Sequence, residues 1–194
     1  MLYRLYILFF LMSIRFAEGQ SPELLWGKTY GGSLQDQGRA MCILGDTLYF
    51  SGTTGSIDGD VSEFIGGGDI WLVKTDLLGN IIWENVYGGS DYDQPKDLIP
   101  MQDGGVMLIG NTRSDDFDIT EFWGGYNDIW LIKIDESGNL EWGKTYGGSD
   151  SDDGASLVRG MDNSYYLVGS TASTDGLVSG HHGMTVNSDI WVYI

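Results

Sequence analysis

The residues with the clearest chemical potential in this chain are aspartates, which recur at fixed places in three similar stretches. One aligned position holds Asp36, Asp93 and Asp152, and its surroundings add Asp91, Asp150 and Asp153. Clustered carboxylates are candidate calcium ligands, because Ca²⁺ takes about six to eight oxygen atoms. The chain has no Asp-x-Asp-x-Asp-Gly loop with a distal Glu, and aspartate at a turn ordinarily accepts backbone hydrogen bonds. We therefore expect structural turns and no required cofactor, and the weak calcium candidates are Asp91, Asp93, Asp150, Asp152 and Asp153.

A second acidic set occupies the three long loops: Asp58, Asp60, Asp115, Asp116, Asp118 and Asp175. Two carboxyl groups held at the right separation can hydrolyse a glycosidic bond. These aspartates recur once per repeat, however, and an active site is seldom repeated in this way. We therefore interpret them as solvated loop charge.

The other reactive side chains are two histidines and one cysteine. His181 and His182 are adjacent, and the ligand spacing of a zinc site is missing. Cys42 lies in the apolar run Ala40–Leu44, which is typical of a small core residue, and a single cysteine cannot form an internal disulfide. No nucleophile-elbow motif is present. The sequence predicts a protein that is not an enzyme and has no catalytic residues.

Trp123 is the best single candidate for a ligand contact. The other six tryptophans hold repeated positions and are expected to pack between sheets: Trp26, Trp83 and Trp142 in one series, and Trp71, Trp130 and Trp191 in the other. Trp123 instead stands in a long loop, as Phe122-Trp123-Gly124-Gly125. Loops carry binding function on rigid scaffolds, so we predict an exposed contact there with an unknown protein or glycan.

An internal repeat positions all of these residues. The segment Trp26–Ser33 returns unchanged as Trp142–Ser149, and the similar segment Trp83–Ser90 lies between them, so the tryptophans are 57 and 59 residues apart. A second marker, Asp-Ile-Trp, recurs 59 and 61 residues apart, beginning at Asp69, Asp128 and Asp189. Self-similarity at a fixed period indicates a stack of equivalent structural units.

Each unit contains four strand-like runs, which in the first unit are Arg39–Leu44, Thr47–Gly52, Ile70–Thr75 and Ile81–Tyr87. The third run is apolar on both alternating faces, as expected for a strand buried on both sides. The segments Asp76–Gly79 and Asp135–Gly138 are typical of hairpin loops with glycine in the left-handed conformation. The predicted fold class is all-β: tandem four-stranded antiparallel blades of the β-propeller type, about three in number, forming a partial propeller or open arc.

The first nineteen residues are predicted to direct export. Arg4 precedes the apolar run Leu5–Ile14, and Ala17-Glu18-Gly19 has the small residues of a cleavage site. A run of this length is too short to span a bilayer, so we expect a secreted or cell-surface protein with no membrane span after cleavage. The predicted boundaries are a signal peptide over 1–19 and repeats over 20–194, divided into an orphan strand over 24–30, blade one over 38–87, blade two over 96–146 and an incomplete blade three over 154–194.

The net charge of −18 limits the classes of partner. A chain this acidic repels nucleic acid and anionic lipid, so neither is expected as a partner. The third unit stops inside its Asp-Ile-Trp strand, which favours a fragment of a longer chain. The alternative is a short chain that associates with copies of itself through exposed blade faces.

The motif Tyr-Gly-Gly-Ser-x-x-Asp, followed by an apolar strand and by Tyr166–Thr171, resembles the SBBP repeat family of β-propellers. The resemblance covers nearly everything after about Leu24. The longer unit also looks like the tandem repeats of large exported bacterial proteins, many of which use type nine secretion. The resemblance implies propeller blades, and it brings no catalytic residues to carry over.

Three hypotheses for function follow. The first is a non-catalytic exported module that binds or acts as a scaffold. The second is an accessory propeller of a larger glycan-acting enzyme or adhesin. The third is a calcium-stabilised repeat protein that assembles with itself.

Overall fold

The computed structural model describes residues 26–162, 164–182 and 188–193, which form eleven strands in three antiparallel sheets. In each sheet, strands that follow one another in the chain are neighbours. The first sheet contains β1 (Asp36–Leu44), β2 (Thr47–Thr54), β3 (Asp69–Asp76) and β4 (Ile81–Tyr87). The second contains β5 (Gln94–Pro100), β6 (Val106–Thr112), β7 (Asp128–Ile134) and β8 (Leu140–Tyr146). The third contains β9 (Asp152–Arg159), β10 (Tyr165–Thr171) and β11 (Asp189–Tyr193).

The all-β prediction is confirmed, and the strand bounds predicted for the first unit lie within a few residues of the observed ones. The three sheets do not form a closed ring. The described part of the chain contains no helix, and therefore none with the length and apolar character needed to cross a membrane.

The strand predicted over 24–30 differs from the structure, in which the described residues 26–30 belong to no sheet. A strand exists only where a neighbouring strand satisfies its backbone groups, and this segment has no such neighbour in the described chain. Side chains hold it instead: Lys28 Nζ and Tyr30 Oη donate to the carbonyl oxygen of Gly79, at 3.0 and 2.8 Å. The predicted signal peptide lies outside the described residues.

The third strand of each complete sheet is buried on both faces, as its apolar run predicts. Every residue of β7 is buried, and in β3 only the last residue is not. The reason is that the sheets pack face to face in chain order. One core lies between the first and second sheets and includes Tyr49, Leu72 and Trp130. A second core lies between the second and third sheets and includes Met107, Ile109, Leu131, Leu157 and Leu167.

The connections divide between the two ends of the sheets. At one end lie the Gly-Gly-Ser turns that precede each sheet and the long loops that join its second and third strands. At the other end lie the β3–β4 and β7–β8 hairpins, whose Gly79 and Gly138 have φ values of 75° and 89°. This confirms the predicted left-handed glycines. The first end, which we call the loop end, carries most of the aspartates.

Candidate functional site

Four successive backbone N–H groups in the turn before the second sheet donate to side chains at the loop end of that sheet. The bonds are Gly88 to Asp118 Oδ2 at 3.1 Å, Gly89 to Asp93 Oδ2 at 2.7 Å, Ser90 to Asp116 Oδ1 at 2.7 Å and Asp91 to Ser114 Oγ at 3.0 Å. Ser114 Oγ also donates to Asp93 Oδ2, at 2.9 Å. Bonds from an N–H group to an ionised carboxylate are the stronger kind, so this network holds the turn firmly against the sheet.

The same network recurs at the other two turns. Before the first sheet, Gly31, Gly32, Ser33 and Leu34 donate to Asp60, Asp36, Asp58 and Ser56, at 3.2, 2.8, 2.6 and 3.0 Å. Before the third sheet, Gly148, Ser149 and Asp150 donate to Asp152, Asp175 and Ser173, at 2.8, 2.7 and 3.0 Å. The sequence signal that could have revealed this role is Thr-x-Ser-x-Asp at the start of each long loop, beginning at Thr54, Thr112 and Thr171.

The five calcium candidates are not brought together into one cage of oxygen ligands. Asp93 and Asp152 are fully buried, and their Oδ2 atoms accept the bonds just described. Asp91 Oδ1 accepts from the backbone of Tyr92 at 2.7 Å. Asp150 uses its N–H group in the turn network, and Asp153 Oδ1 accepts from the amides of Asn111 and Asn127. Across the described ranges, no group of three or more His, Cys, Asp or Glu side chains is placed to hold a metal ion.

The aspartates of the long loops do more than carry solvated charge. Asp58 and Asp175 are exposed, as expected, but each also accepts a backbone hydrogen bond from the preceding turn. Asp115 is exposed and takes no part in the turn network. The loop carboxylates in the network therefore serve as acceptors that position backbone.

The aspartate of each Asp-Ile-Trp marker fixes the far end of a long loop. Asp69 Oδ2 accepts from the backbone N–H groups of Ile65 and Gly66, both at 3.1 Å. Asp128 Oδ2 accepts in the same way from Trp123, and Asp189 Oδ2 from His182. Each long loop is therefore held at its start by the serine and aspartate of the turn network, and at its end by the first residue of the third strand.

Two of these aspartates face a second buried carboxyl group. Asp69 Oδ1 and Asp93 Oδ2 each lie 2.7 Å from the point where a Cβ on Gly88 would stand, and Gly88 therefore has no room for a side chain. Asp128 Oδ1 and Asp152 Oδ2 are placed in the same way about Gly147, at 2.6 and 2.7 Å. Asp69 Oδ1 and Asp128 Oδ1 are buried, with no hydrogen-bond partner among the described residues. Each junction between sheets thus contains a close pair of buried carboxyl groups.

Burial raises the pKa of Asp69 to about 6 and the pKa of Asp128 to about 7. The negative charges of Asp93 and Asp118 add to the rise at Asp69, and those of Asp152 and Glu121 add to it at Asp128. Backbone hydrogen bonds oppose it at both sites. A raised pKa in the folded state means that protonation favours folding. This contribution to stability is complete below about pH 4 and is lost as the pH rises through about 6 and 7.

We expect the substitution Asp128→Asn to stabilise the protein at pH 8 and to have little effect at pH 5. At pH 8 the variant lacks the ionised carboxylate that lies beside Asp152, while its amide oxygen still accepts from Trp123. The expected gain in the free energy of unfolding at pH 8 is on the order of 1–2 kcal/mol. Urea unfolding at both pH values measures it, with the exposed Asp115→Asn as the matched control. An equal effect of Asp128→Asn at the two pH values would show that this carboxyl group does not titrate between them.

Trp123 is only partly available to a ligand. It is half-buried, and its indole Nε1 is buried without a hydrogen-bond partner among the described residues. Its backbone N–H group donates to Asp128. Trp123, which was expected to be an exposed contact, therefore also helps to fix the end of its own loop through this backbone hydrogen bond.

The predicted packing of the tryptophans is right for one series and wrong for two members of the other. Trp71, Trp130 and Trp191 are buried, whereas Trp26 and Trp142 are 40% and 41% exposed. Trp26 lies in the segment that belongs to no sheet, and Trp142 lies in β8, an edge strand of the second sheet. Trp83, in the edge strand β4, is half-buried, and its Nε1 donates to the carbonyl oxygen of Glu136 in the β7–β8 hairpin at 3.0 Å.

Cys42 packs against the core between the first and second sheets, as predicted. Burial raises the pKa of its thiol to about 11, and the charge of Asp97 adds to this rise. The thiolate is the reactive form of cysteine, so the structure gives Cys42 the character of a small apolar side chain.

Sequence reasoning missed a stack of tyrosine and arginine at the loop end of the second sheet. The guanidinium carbon of Arg113 lies 3.6 Å from the ring centroid of Tyr126 and 5.2 Å from that of Tyr92. Arg113 Nε donates to Asn127 Oδ1 at 2.9 Å, and Tyr126 is 62% exposed. The other two units have Gly55 and Ala172 at the position of Arg113, so the stack breaks the repeat. That break is the signal by which it could have been found.

No protein-family model matches the chain, and no curated protein matches it.

Proposed function

We propose that this protein is a non-catalytic β-sheet repeat scaffold that binds a glycan at its loop end. The observation that carries the proposal is the carboxylate–amide network, which recurs at all three turns. The aspartate carboxylates are the side chains of this protein that could most readily act as an acid or a base. In the network they instead accept hydrogen bonds from the backbone of the turns. A repeated set of structural acceptors is typical of a scaffold.

The stack of Tyr92, Arg113 and Tyr126 is the proposed ligand contact. Tyrosine and arginine are among the residue types that contribute most to binding energy at interfaces. Stacking holds the guanidinium plane in place, so it loses little freedom when a ligand binds. The exposed ring of Tyr126 offers an apolar surface for a sugar ring, and the free N–H groups of Arg113 offer donors for its hydroxyl oxygens.

The proposal also covers the type of β fold and the place where the protein acts. Three sheets of the same strand order, packed face to face in chain order, support blades of the β-propeller type related to SBBP repeats. Export to the cell surface or the medium is proposed on the basis of residues 1–19, outside the described part of the chain.

We expect the purified protein to be retained on at least one polysaccharide from a panel of neutral and acidic insoluble polysaccharides, without releasing reducing ends from it. The double substitution of Arg113→Ala and Tyr126→Ala should weaken retention about tenfold or more, since it removes both the donors and the apolar ring. The control is Asp115→Ala, an exposed change at the same end, which should bind normally. Release of reducing ends in proportion to protein concentration would contradict a non-catalytic role. Absence of retention on every polysaccharide would contradict a glycan ligand.

A further inference from the structure

The first sheet has one partly bare apolar face, which we call the leading face and define by Met41, Leu48 and Phe50. These residues line a groove of about 450 Å³, together with Trp26, Tyr30 and the buried Trp71. Met41 is 68% exposed.

The second sheet shows what covers a leading face in this protein. Leu98 and Leu108 hold the positions equivalent to Met41 and Phe50, and their exposures are only 3% and 0%. They are buried because the opposite face of the first sheet packs on them, through the core residues Tyr49, Ile70 and Leu72. The natural occupant of a leading-face groove is therefore the opposite face of a preceding sheet, which we call the trailing face.

The third sheet carries a trailing face that nothing in the described chain covers. Val158, Ile190 and Val192 lie on it and are 56%, 83% and 59% exposed. Val168 pairs directly with Val192 and lies on the same face. The equivalent residues of the second sheet include Ile129 and Leu131, which belong to the core formed with the third sheet, and Ile99, which packs against that core. The two bare faces are thus the two halves of an interface that the molecule already forms twice.

The described part of the third sheet also has an unpaired edge strand, and residues 26–30 are a candidate partner for it. Within the described residues, β11 pairs with β10 on one side and with no strand on the other. Residues 26–30 lie where the fourth strand of a preceding sheet would lie, because Tyr30 Oη donates to Gly79 O at 2.8 Å as Tyr87 Oη donates to Gly138 O at 2.6 Å. Their sequence is also identical to Trp142–Tyr146, which ends at the last residue of β8.

We propose that two copies of this chain associate head to tail and close into one ring of six sheets. The trailing face of the third sheet in each copy fills the leading-face groove of the other, and residues 26–30 of each copy add beside β11 of the other as a fourth strand. Six sheets lie within the range of about four to eight found in closed propellers, whereas three lie below it. The assembly does not depend on the glycan ligand proposed above.

The negative charge of the chain makes the proposed association depend on ionic strength. Two copies that each carry a net charge of −18 repel one another at long range, while the contact itself is apolar. Salt screens the repulsion and leaves the apolar contact intact, so the dimer should strengthen as ionic strength rises.

Light scattering after size-exclusion chromatography tests the proposal in moderate salt. We expect twice the chain mass of 21.4 kDa for the protein itself, and the chain mass for Met41→Glu and for Ile190→Glu, each placing a charge on one of the two faces. Phe117→Glu is the control: Phe117 is 72% exposed but lies in the long loop of the second sheet, on neither of the two faces, so the variant should remain dimeric. Circular dichroism should show unchanged β structure in all three variants, since the substituted side chains are exposed.

Mixing the two interface variants tests the head-to-tail arrangement. A pair of Met41→Glu and Ile190→Glu chains keeps one of its two interfaces free of substitution, so we expect the mixture to recover a dimer that neither variant forms alone. A monomer of the unsubstituted protein at about 100 µM would overturn the proposal, because mass action favours association at such a concentration. Dimeric Met41→Glu or dimeric Ile190→Glu would overturn it as well, and so would a mixture that stays monomeric.

Discussion

Replacement of Trp130 by alanine is expected to lower the free energy of unfolding by about 3–5 kcal/mol. Trp130 lies in β7, is 1% exposed and belongs to the core between the first and second sheets. The substitution removes the apolar surface that this side chain buries, and it leaves a cavity that the surrounding strands can fill only in part. The effect is large because this side chain projects from the second sheet into the core that the second sheet shares with the first.

Urea unfolding of the protein and the variant measures this loss, and Trp142→Ala is the matched control. Trp142 is 41% exposed, so the same chemical change should cost about 1 kcal/mol or less there. Equal losses for the two variants would mean that Trp130 is not packed between sheets as described.

Replacement of Asp93 by alanine is expected to lower the free energy of unfolding by about 2–4 kcal/mol at pH 7. Asp93 is fully buried, and its Oδ2 accepts from the N–H group of Gly89 and from the hydroxyl of Ser114. Alanine leaves both donors without an acceptor, and a buried unsatisfied donor costs about 1–3 kcal/mol. Loss of the unfavourable approach to Asp69 offsets part of this cost, because those two carboxyl groups face each other about Gly88.

Two further variants test whether the loss of stability comes from the lost hydrogen-bond acceptor of Asp93. Asp93→Asn keeps the size of the side chain and an acceptor oxygen, so it should lose clearly less stability than alanine. Asp115→Ala removes an exposed aspartate of the neighbouring loop and should change stability by no more than about 0.5 kcal/mol. If Asp93→Ala and Asp115→Ala unfold at the same urea concentration, the turn network does not stabilise the fold.

Local patterns predicted the strands well because the information needed was local. The apolar run Ile70–Val73 indicates a strand buried on both faces, and the glycines of the hairpin loops indicate left-handed turns. The structure confirms both. Both signals depend only on alternation and on backbone conformation over a few residues.

The turn network could not be found in that way, because its partners are distant in sequence. Ser33 and Asp58 are 25 residues apart, and Leu34 and Ser56 are 22 apart. They meet only once the first two strands have paired. The exposure of Trp26 and Trp142 was mispredicted for a similar reason, since the repeat pattern does not show which neighbouring elements cover a given side chain.

The double anchoring of each long loop has an evolutionary consequence. Serine and aspartate fix one end, the first aspartate of the third strand fixes the other, and neither anchor depends on the residues between them. Substitutions at the exposed positions between the anchors should therefore cost little folding free energy, whereas the buried loop residues Val61, Ile119 and Val178 belong to the cores and are constrained. The repeated units can thus keep one architecture while their exposed positions diverge, as the stack of Tyr92, Arg113 and Tyr126 in a single unit illustrates.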